Sequence, residues 1–454
     1  MECVLICRLK IVRPGVNPKA VIPLIFAGRF PNNNPQNMEL REGRYHIGGA
    51  DALQIAERFG APVYVYDAAT MKRQYERMTT AFARVKRLRI NFACKALTNL
   101  NVLRLFRELG SGLDTVSIQE VELGLRAGFD PHDILFTPNC VSLSEISAAV
   151  AKGVRINIDN IEVLEQFGHR HPEVPVCIRI NPHIMAGGNS KISVGHIDSK
   201  FGISIHQVPH VLKVVNALGL TIEGLHIHTG SDIYDAQVFL RAVEILLTAA
   251  ADFPDLDYLD FGSGFKVAYK EGGIATDIED LGEQLGDRFN AFCQEYGRDL
   301  ALMFEPGKFL VSEAGYFLVR TNVVKTTTAS VFAGVVSGLN HLIRPMFYDA
   351  YHHITNLSNP TGKKRIYSVV GYICETDTFG VNRPLNEVRE GDILAMANAG
   401  AYSFMMASNY NSRFRPAEVM VVDGEAHLIR RRETMEDLLR TQVEVPSLWE
   451  GVPA

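Results

Sequence analysis

Eight short apolar segments, each followed by a segment with helical spacing of its apolar residues, constrain the fold of this chain most strongly. The eight segments are Ile90–Lys95, Gly112–Ser117, Asp133–Pro138, Val154–Asp159, Pro175–Asn181, Ile222–His228, Tyr258–Gly262 and Ala301–Glu305. Most are continuous apolar runs, as in parallel strands that are covered on both faces. Leu100, Leu103 and Phe106 have the spacing of an amphipathic helix between two of them. Eight such units in about 220 residues predict an α/β fold with a (β/α)8 barrel, and a doubly wound sheet is the alternative.

The character of the sequence changes after about residue 310. Segments such as Tyr316–Thr328, Arg365–Tyr372 and Glu418–Val422 are β-branched runs separated by turn residues. They predict a second, mainly antiparallel β domain over residues 311–454. Residues 38–70 contain another strand-like run, Val63–Tyr66, which we expect to pair with that β domain. The predicted barrel domain, residues 71–310, is then inserted between two parts of the β domain.

Composition and charge exclude several functions. The 454 residues carry a net charge of −5, which provides no broad basic field for nucleic acid or anionic lipid. The longest apolar run, Ala20–Gly28, is interrupted by Pro23 and is too short to span a bilayer. Seven cysteines without a C-x-x-C spacing indicate neither a disulfide framework nor a zinc site. We therefore expect a soluble, cytoplasmic protein.

Residues 1–37 differ from the rest of the chain. They contain five basic residues, one acidic residue and five of the twenty prolines. A basic stretch before a short apolar run is typical of a signal peptide, but Pro23 interrupts the run and no A-x-A cleavage site follows it. We expect a disordered leader or a start codon assigned upstream of Met38. N-terminal sequencing of natively expressed protein distinguishes these two cases.

Polar residues collect at the carboxyl ends of the predicted strands, where barrel enzymes place their active sites. Lys95 closes the first apolar run and is either half of a structural ion pair or a desolvated amine able to form a Schiff base. His226 and His228 share one face of the sixth strand. A metal site there needs further ligands at later strand ends. We expect no metal, because the next histidine, His341, follows the barrel.

The last two strand ends predict a phosphate cradle and a carboxylate. The glycines of Gly262–Gly264 let the backbone approach a phosphate closely, and Gly230-Ser231 offers further donors. Glu305 ends the eighth strand. A lysine, a carboxylate, an imidazole and a phosphate cradle together predict pyridoxal phosphate. Lys95 would bond to it, Glu305 would keep its ring nitrogen protonated, and His228 would stack on the ring.

These motifs, taken in order, resemble those of a known enzyme family. The matching stretches are Phe92–Ala96, His226–Ser231, Gly262–Gly264, Glu305–Lys308, Cys374–Thr376, Gly400–Tyr402 and Phe404–Val419. The chain resembles the fold-type III pyridoxal-phosphate-dependent decarboxylases, most closely the diaminopimelate decarboxylases. The similarity extends from about Tyr45 to the end of the predicted β domain, and residues 1–37 lie outside it.

The resemblance implies a role for each matched residue. It implies that Lys95 is the Schiff-base lysine, that His228 stacks on the pyridine ring and that Glu305 meets the ring nitrogen. The other residues implied to bind the cofactor are Ser231, Gly262, Gly264, Pro306, Gly307, Lys308 and Tyr402. The residues implied to bind substrate are Lys308, Arg344, Tyr348, Glu375 and Tyr402. Cys374 is implied to be the catalytic acid that reprotonates the product carbon.

Three positions depart from the family pattern. Lys308 stands where the family commonly has arginine, and Ser263 replaces the middle one of three glycines. Thr376-Asp377 follows the Cys-Glu pair where Ser-Gly-Asp is usual. Because lysine cannot form the bidentate fork of arginine, Lys308 either contacts the substrate as a point charge or serves the phosphate.

The resemblance implies decarboxylation of meso-2,6-diaminopimelate to L-lysine and CO2. One alternative is a decarboxylase of another basic amino acid, such as ornithine, arginine, D-lysine or carboxynorspermidine, although Arg344 favours a distal carboxylate. Another is a non-catalytic relative that only binds pyridoxal phosphate, against which the presence of Lys95, Cys374 and Glu305 argues. The resemblance also implies a homodimer in which Cys374 and Glu375 of one subunit complete the partner's site, while Tyr402 serves either barrel.

Overall fold

The computed structural model describes residues 38–184, 195, 199–231, 233, 235–270, 272–445 and 448. The predicted leader, residues 1–37, lies outside these residues. The described chain begins with a small antiparallel sheet of β1 (Glu39–Arg41), β2 (Arg44–Ile47) and β3 (Ala50–Asp51). Helix α1 (Ala52–Phe59) and strand β4 (Val63–Asp67) follow, and they lead into the first helix of the barrel, α2 (Ala68–Ala81).

Eight parallel strands form a closed barrel. They are β5 (Leu88–Ala93), β6 (Gly112–Thr115), β7 (Ile134–Phe136), β8 (Arg155–Ile158), β9 (Val176–Asn181), β11 (Ile222–Ile227), β12 (Tyr258–Asp260) and β13 (Ala301–Phe304). Each strand pairs in parallel with the next, and β13 pairs with β5, which closes the sheet. A two-residue strand, β10 (Ile203–Ser204), adds to β9. The predicted (β/α)8 barrel is confirmed, and closure of the sheet excludes the doubly wound alternative.

Helices connect the barrel strands and cover their outer faces. They are α3 (Leu100–Glu108), α4 (Ile118–Ala127), α5 (Leu143–Val150), α6 (Ile161–Arg170), α7 (Val208–Leu218), α8 (Ala236–Ala250), α9 (Ile278–Tyr296) and α10 (Lys308–Val311). Many begin at a side chain that accepts a hydrogen bond from the first helical turn, as Asn99 does for α3 and Ser117 for α4. Such caps satisfy backbone N–H groups that have no partner within the helix. In the described part of the chain, every helix is too short or too polar to cross a membrane.

The inside of the barrel carries polar side chains, whereas the apolar core lies between strands and helices. Because side chains alternate along a strand, the apolar neighbours of each inward residue pack outward. Register pairs His226 of β11 with Arg179 of β9 on one side and with Asp260 of β12 on the other. All three are buried. The barrel therefore holds a row of ionisable groups directly below its carboxyl-end rim.

The second sheet is mixed but mainly antiparallel. It contains β14 (Gly315–Thr326), β15 (Val331–Val335), β16 (Ile354–Asn356), β17 (Lys364–Val370), β18 (Thr378–Asn386), β19 (Ile393–Met396), β20 (Ala417–Val422) and β21 (Glu425–Arg430). Two short helices, α11 (Arg344–Tyr348) and α12 (Met435–Leu439), accompany it. Strand β4 lies within this sheet, antiparallel to β14 and parallel to β20. The strand-like run before the barrel is thus hydrogen-bonded to strands that follow it.

The segment that follows β19 makes a close backbone contact with the end of helix α10. A Cβ atom on Gly400 would lie 1.7 Å from the carbonyl oxygen of Val311, so only glycine fits at this position. This contact brings the segment after Gly400 toward the barrel rim. Tyr402 lies two residues further along that segment.

Candidate active site

A cavity of about 410 Å³ lies at the carboxyl ends of the barrel strands. The predicted site residues that line it are Lys95, His228, Ser231, Gly264, Glu305, Gly307, Lys308 and Tyr402. The other lining residues are Val116, Thr137, Asn139, Arg179, Phe201, His226, Ser263 and Phe265. Seven of the eight predicted lining residues come from the barrel segment, and Tyr402 comes from the segment that follows β19. The predicted strand-end residues therefore meet at one site.

Lys95 is held by a buried carboxylate that the sequence analysis did not identify. The strand ends at Ala93, and Lys95 lies in a single 3-10 turn after it. Its Nζ donates a hydrogen bond of 2.5 Å to Oδ2 of Asp114, on the neighbouring strand β6. Burial lowers the pKa of Lys95, but the charge and hydrogen bond of Asp114, together with Glu305 and Tyr402, outweigh burial and raise this pKa above its ordinary value. Burial and Glu305 also raise the pKa of Asp114, yet the amine remains the stronger base and holds the proton.

The glycine loop after β12 forms a cradle beside His228. Gly262 and Gly264 have φ values of +59° and +122°, which favour glycine. A Cβ atom on Gly264 would lie 2.3 Å from the carbonyl oxygen of Gly230, so this space admits no side chain. The backbone N–H of Ser263 donates to Nδ1 of His228 at 3.3 Å, which fixes the ring. Burial, together with the charges of Arg179 and Lys95, lowers the pKa of His228 and keeps the imidazole neutral.

Glu305 meets a histidine and a second carboxyl group. Nε2 of His226 lies 3.3 Å from Oε2 of Glu305. One nitrogen of His226 and one oxygen each of Asp260 and Glu305 all lie within 4.8 Å of one another. Only later histidines were considered as partners of the histidine pair in the sequence, whereas the structure brings carboxyl groups from later strand ends to His226. His228 is not part of this group, although both histidines line the cavity.

The residues around the cavity fit pyridoxal phosphate. Oε1 of Glu305 is buried and has no hydrogen-bond partner among the described residues, so a cationic ring N–H would satisfy it. At the cradle of Gly262–Gly264 an anion can approach the backbone closely, in a space where a side chain would not fit. Lys95 lies on the same rim as both. The structure thus combines an anion cradle, a carboxylate and an amine around one volume.

Tyr402 lines the cavity of its own barrel, which the sequence analysis left open. Its backbone N–H donates to the carbonyl oxygen of Ala96 at 3.0 Å, beside the turn that carries Lys95. Its φ of +54° is uncommon for a residue with a large side chain. Burial raises the pKa of its hydroxyl, while the charges of Lys95, Lys308 and Arg344 oppose this. Tyr402 therefore stays a neutral hydrogen-bond donor at the rim.

Arg344 and Tyr348 begin and end helix α11 and do not line the cavity. Nη2 of Arg344 donates to Oη of Tyr269 at 3.3 Å, and its Cζ lies 5.7 Å from the centre of the Tyr348 ring. Arg344 is buried, with 6% of its surface exposed. Its charge still lowers the pKa of Tyr402, which places it near the rim.

Cys374 and Glu375 are exposed and do not line the cavity of their own chain. Nδ2 of Asn411 contacts Sγ of Cys374 at 3.3 Å, and Oη of Tyr410 donates to Oε1 of Glu375 at 2.6 Å. We name these four residues, Cys374, Glu375, Tyr410 and Asn411, the cysteine patch. The matched stretches Cys374–Thr376 and Phe404–Val419 are thus adjacent in space.

Several residues at or beside the cavity were not predicted from the sequence, chiefly Asp114, Arg179 and Asp260. Each is the single charged residue of its strand, and this is the signal by which the sequence indicates them. Asp114 and Arg179 lie inside their strands, whereas the predicted residues follow strand ends. Asp260 lies at a strand end, directly before the glycine loop.

Comparisons with known proteins agree with this geometry. Residues 68–312 match the family model described as pyridoxal-dependent decarboxylase, pyridoxal binding domain. The diaminopimelate decarboxylase of Methanothermobacter thermautotrophicus is 40% identical over 411 residues, which cover 88% of this chain and 96% of that protein.

Two solved structures extend the similarity to the fold. Diaminopimelate decarboxylase from Methanocaldococcus jannaschii, in complex with L-lysine, is 30% identical with a TM-score of 0.82, covering 90% of this chain and 98% of that one. The Helicobacter pylori enzyme complexed with L-lysine is also 30% identical, with a TM-score of 0.79, covering 86% and 98%. This chain belongs to the diaminopimelate decarboxylase family of pyridoxal-dependent decarboxylases.

Proposed function

We propose that this enzyme removes one carboxylate from meso-2,6-diaminopimelate and releases L-lysine and CO2. The observation that carries the proposal is the cavity that unites Lys95, Glu305 and the cradle of Gly262–Gly264. The relatives named above, two of them crystallised with L-lysine, support this substrate and product. When bound, pyridoxal phosphate accepts the electron pair that the departing carboxylate leaves on carbon.

The barrel residues bind and orient the cofactor in this proposal. Lys95 would hold it covalently. Glu305, as a carboxylate, would keep a proton on the ring nitrogen, and neutral His228 would lie against the ring face. The cradle of Gly262–Gly264, with the hydroxyls of Ser231 and Tyr402, would hold the phosphate. Residues 306–308 continue the rim, where the Lys308 ammonium contacts an anion, either this phosphate or a substrate carboxylate.

Residues of the second domain bind substrate and return a proton. We place the distal carboxylate of the substrate near Arg344 and Tyr348, because the Arg344 charge acts at the rim beside Tyr402. Glu375 then receives an ammonium group. The C–C bond to the departing carboxylate breaks first, and CO2 is released. The Sγ–H of Cys374 then donates a proton to the same carbon, which completes the new C–H bond.

The proposal includes a homodimer with shared active sites. It is supported by the position of the cysteine patch, which is exposed and does not line the cavity of its own chain. A partner subunit that places its cysteine patch over the cavity would give two equal sites about a two-fold axis. Large apolar side chains are also exposed on the second domain, among them Val323, Phe347, Ile366 and Val381. Such surfaces are typical of subunit contacts.

We also propose a domain division and a location. Residues 71–310 form the cofactor-binding domain, a division that the family match to residues 68–312 supports. Residues 38–70 and 311–454 together form the second domain, supported by the position of β4 between β14 and β20. The free thiols of the described cysteines support a reducing compartment, the cytoplasm.

A substrate series tests the proposed reaction. We expect meso-diaminopimelate to exceed ornithine, arginine, D-lysine and carboxynorspermidine in kcat/KM by about 100-fold or more, because a site that pairs a distal carboxylate rejects substrates that lack it. Release of CO2 and of lysine is measured with added pyridoxal phosphate. Arg344→Gln is the matched variant. Because it removes the charge that pairs the distal carboxylate, it should reduce the ratio of kcat/KM for diaminopimelate to kcat/KM for the other amino acids. Turnover of another amino acid without turnover of diaminopimelate would contradict the proposal.

Cofactor attachment should depend on Asp114. Asp114→Asn removes the charge and hydrogen bond that contribute most to raising the pKa of Lys95, so this pKa falls and more of the amine is neutral near neutral pH. Because only the neutral amine attacks a carbonyl carbon, we expect pyridoxal phosphate to attach faster, and the rate to rise at a lower pH than in the wild type. Stopped-flow absorbance with cofactor-free protein measures this. Asp133→Asn, which alters an exposed carboxylate beside β7, is the control, and equal pH profiles for all three proteins would refute the expectation.

A further inference from the structure

Asp260 lies next to Glu305 but does not line the cavity. Its side chain is fully buried at the end of β12. Oδ1 accepts a hydrogen bond of 2.8 Å from the backbone N–H of Gly262. Oδ2 has no hydrogen-bond partner among the described residues, and neither does Oε1 of Glu305. Two neighbouring carboxyl groups therefore each leave one buried oxygen unsatisfied.

A proton on Asp260 would satisfy its Oδ2 by donation to Glu305, and Oε1 of Glu305 can still accept from the cofactor ring because a carboxylate oxygen accepts more than one hydrogen bond. Two ionised carboxylates at this separation repel each other and lack solvation, so one of them takes up a proton. A protonated carboxyl group supplies the one donor that the pair lacks. Because Oδ1 of Asp260 already faces an N–H, the proton belongs on Oδ2, where it can point to Glu305.

The surrounding groups decide which carboxyl group carries the proton. Burial, with the negative charge of Glu305, raises the pKa of Asp260 well above its ordinary value. Burial acts in the same direction on Glu305, but His226 and the Lys95 ammonium outweigh it and lower the pKa of Glu305. The other charged or titratable groups that act on the pair or on His226 are Asp114, Arg179 and His228. These groups favour a neutral Asp260 beside an ionised Glu305.

We propose that Asp260 is a positioning residue, a neutral carboxylic acid whose Oδ2–H donates a hydrogen bond to Glu305 and holds that carboxylate toward the ring nitrogen of the cofactor. The proposal rests on the proposed function, since it takes the ring nitrogen as the partner of Glu305. His226 is also neutral, so His226, Asp260 and Glu305 together carry one negative charge. This charge faces the single N–H of the cofactor ring. The donated hydrogen bond makes Glu305 a weaker base, so the proton stays on the ring.

Two substitutions distinguish a neutral donor from an ionised carboxylate. Asp260→Asn keeps an oxygen for the Gly262 N–H and offers Glu305 an amide donor in place of the acid. We therefore expect cofactor-free Asp260→Asn to bind pyridoxal phosphate nearly as tightly as the wild type, whereas Asp260→Ala binds it about tenfold or more weakly. A spectroscopic titration at neutral pH gives both dissociation constants. Asp257→Asn, the same change at a half-exposed residue paired with Arg87, is the control.

Infrared spectroscopy of the cofactor-free protein locates the proton directly. The C=O stretch of a protonated carboxyl group absorbs at a different frequency from the stretches of an ionised carboxylate. We expect this absorption in the wild type and in Asp257→Asn. It should be absent or strongly reduced in Asp260→Asn, and retained in Asp114→Asn. Each spectrum is independent of turnover, so a wild type that binds the cofactor without releasing lysine would count against the proposed function and not against this inference.

Two outcomes would overturn the role of Asp260. Equal weakening of cofactor binding in Asp260→Asn and Asp260→Ala would mean that an ionised carboxylate is required. Survival of the protonated-carboxyl absorption in Asp260→Asn would place the proton elsewhere. If the alanine variant does not fold, the infrared comparison and the asparagine titration still decide between the two states.

Discussion

Replacing Lys95 with alanine will lower kcat for lysine and CO2 release by about 10²–10⁴-fold, the range expected when a positioned reacting group is lost. The amine is the group on the rim that can bond to the cofactor next to the glycine cradle, and its turn is held by the Ala96–Tyr402 hydrogen bond. Lys86→Ala, which removes an exposed lysine paired with Asp299, should leave kcat unchanged. Unchanged turnover in Lys95→Ala would refute the assignment of the active site.

Reductive labelling distinguishes Lys95 from Lys308, the second lysine that lines the cavity. Borohydride reduction of the bound cofactor, followed by peptide mass spectrometry, should place the pyridoxyl group on Lys95 and not on Lys308. The alanine variant is expected to fold, because burial and Glu305 already raise the pKa of Asp114, so that this carboxyl group can take up a proton when its partner is gone. Circular dichroism checks this directly. A label on Lys308 would reassign the two lysines.

Mixing two inactive variants, Lys95→Ala and Cys374→Ala, will restore roughly a quarter of wild-type activity if the subunits exchange at random. Lys95 lines the cavity, whereas Cys374 lies in the exposed cysteine patch of the same chain. If the patch serves the partner's cavity, each heterodimer has one intact site and one site with both lesions. Half of the dimers are heterodimers, and each has half of its sites intact.

A second mixture is the matched control. Lys95→Ala with Glu305→Ala places both lesions in the barrel, so every site of every heterodimer carries one lesion and activity should not return. Differently tagged subunits, captured on one tag and probed for the other, establish that exchange has occurred. Exchange without recovery in the first mixture would exclude a shared site, and equal recovery in both mixtures would also contradict it.

The barrel could be predicted from sequence because its strands are covered on both faces. Continuous apolar runs such as Ala301–Phe304 are visible without knowledge of their neighbours, and all eight predicted strands are present. The sheet of β1, β2 and β3 was not predicted. Its strands have two to four residues and mostly exposed or half-buried side chains, so they carry little periodicity.

The site could be predicted only in part, for a physical reason. Lys95, His228 and Glu305 follow strand ends, and a local motif indicates each of them. Asp114 and Asp260 act through pairs whose members lie 19 and 45 positions apart, and those pairs follow from the register between barrel strands. A single sequence does not contain the register. The partners of His226 could not be predicted for the same reason, since they are carboxyl groups from other strands.

The position of β4 between β14 and β20 has a consequence for how the chain assembles during synthesis. About 250 residues separate β4 from β14, so at about 5–20 residues per second the ribosome needs roughly 10–50 s to supply the first partner strand. All strands of the barrel emerge within that interval, because β5 to β13 precede β14. Until then Val63 and Val65, which are fully buried in the finished sheet, lack the part of their cover that β14 and β20 provide. The order of translation therefore makes closure of the mixed sheet, and not of the barrel, the last step in building a subunit.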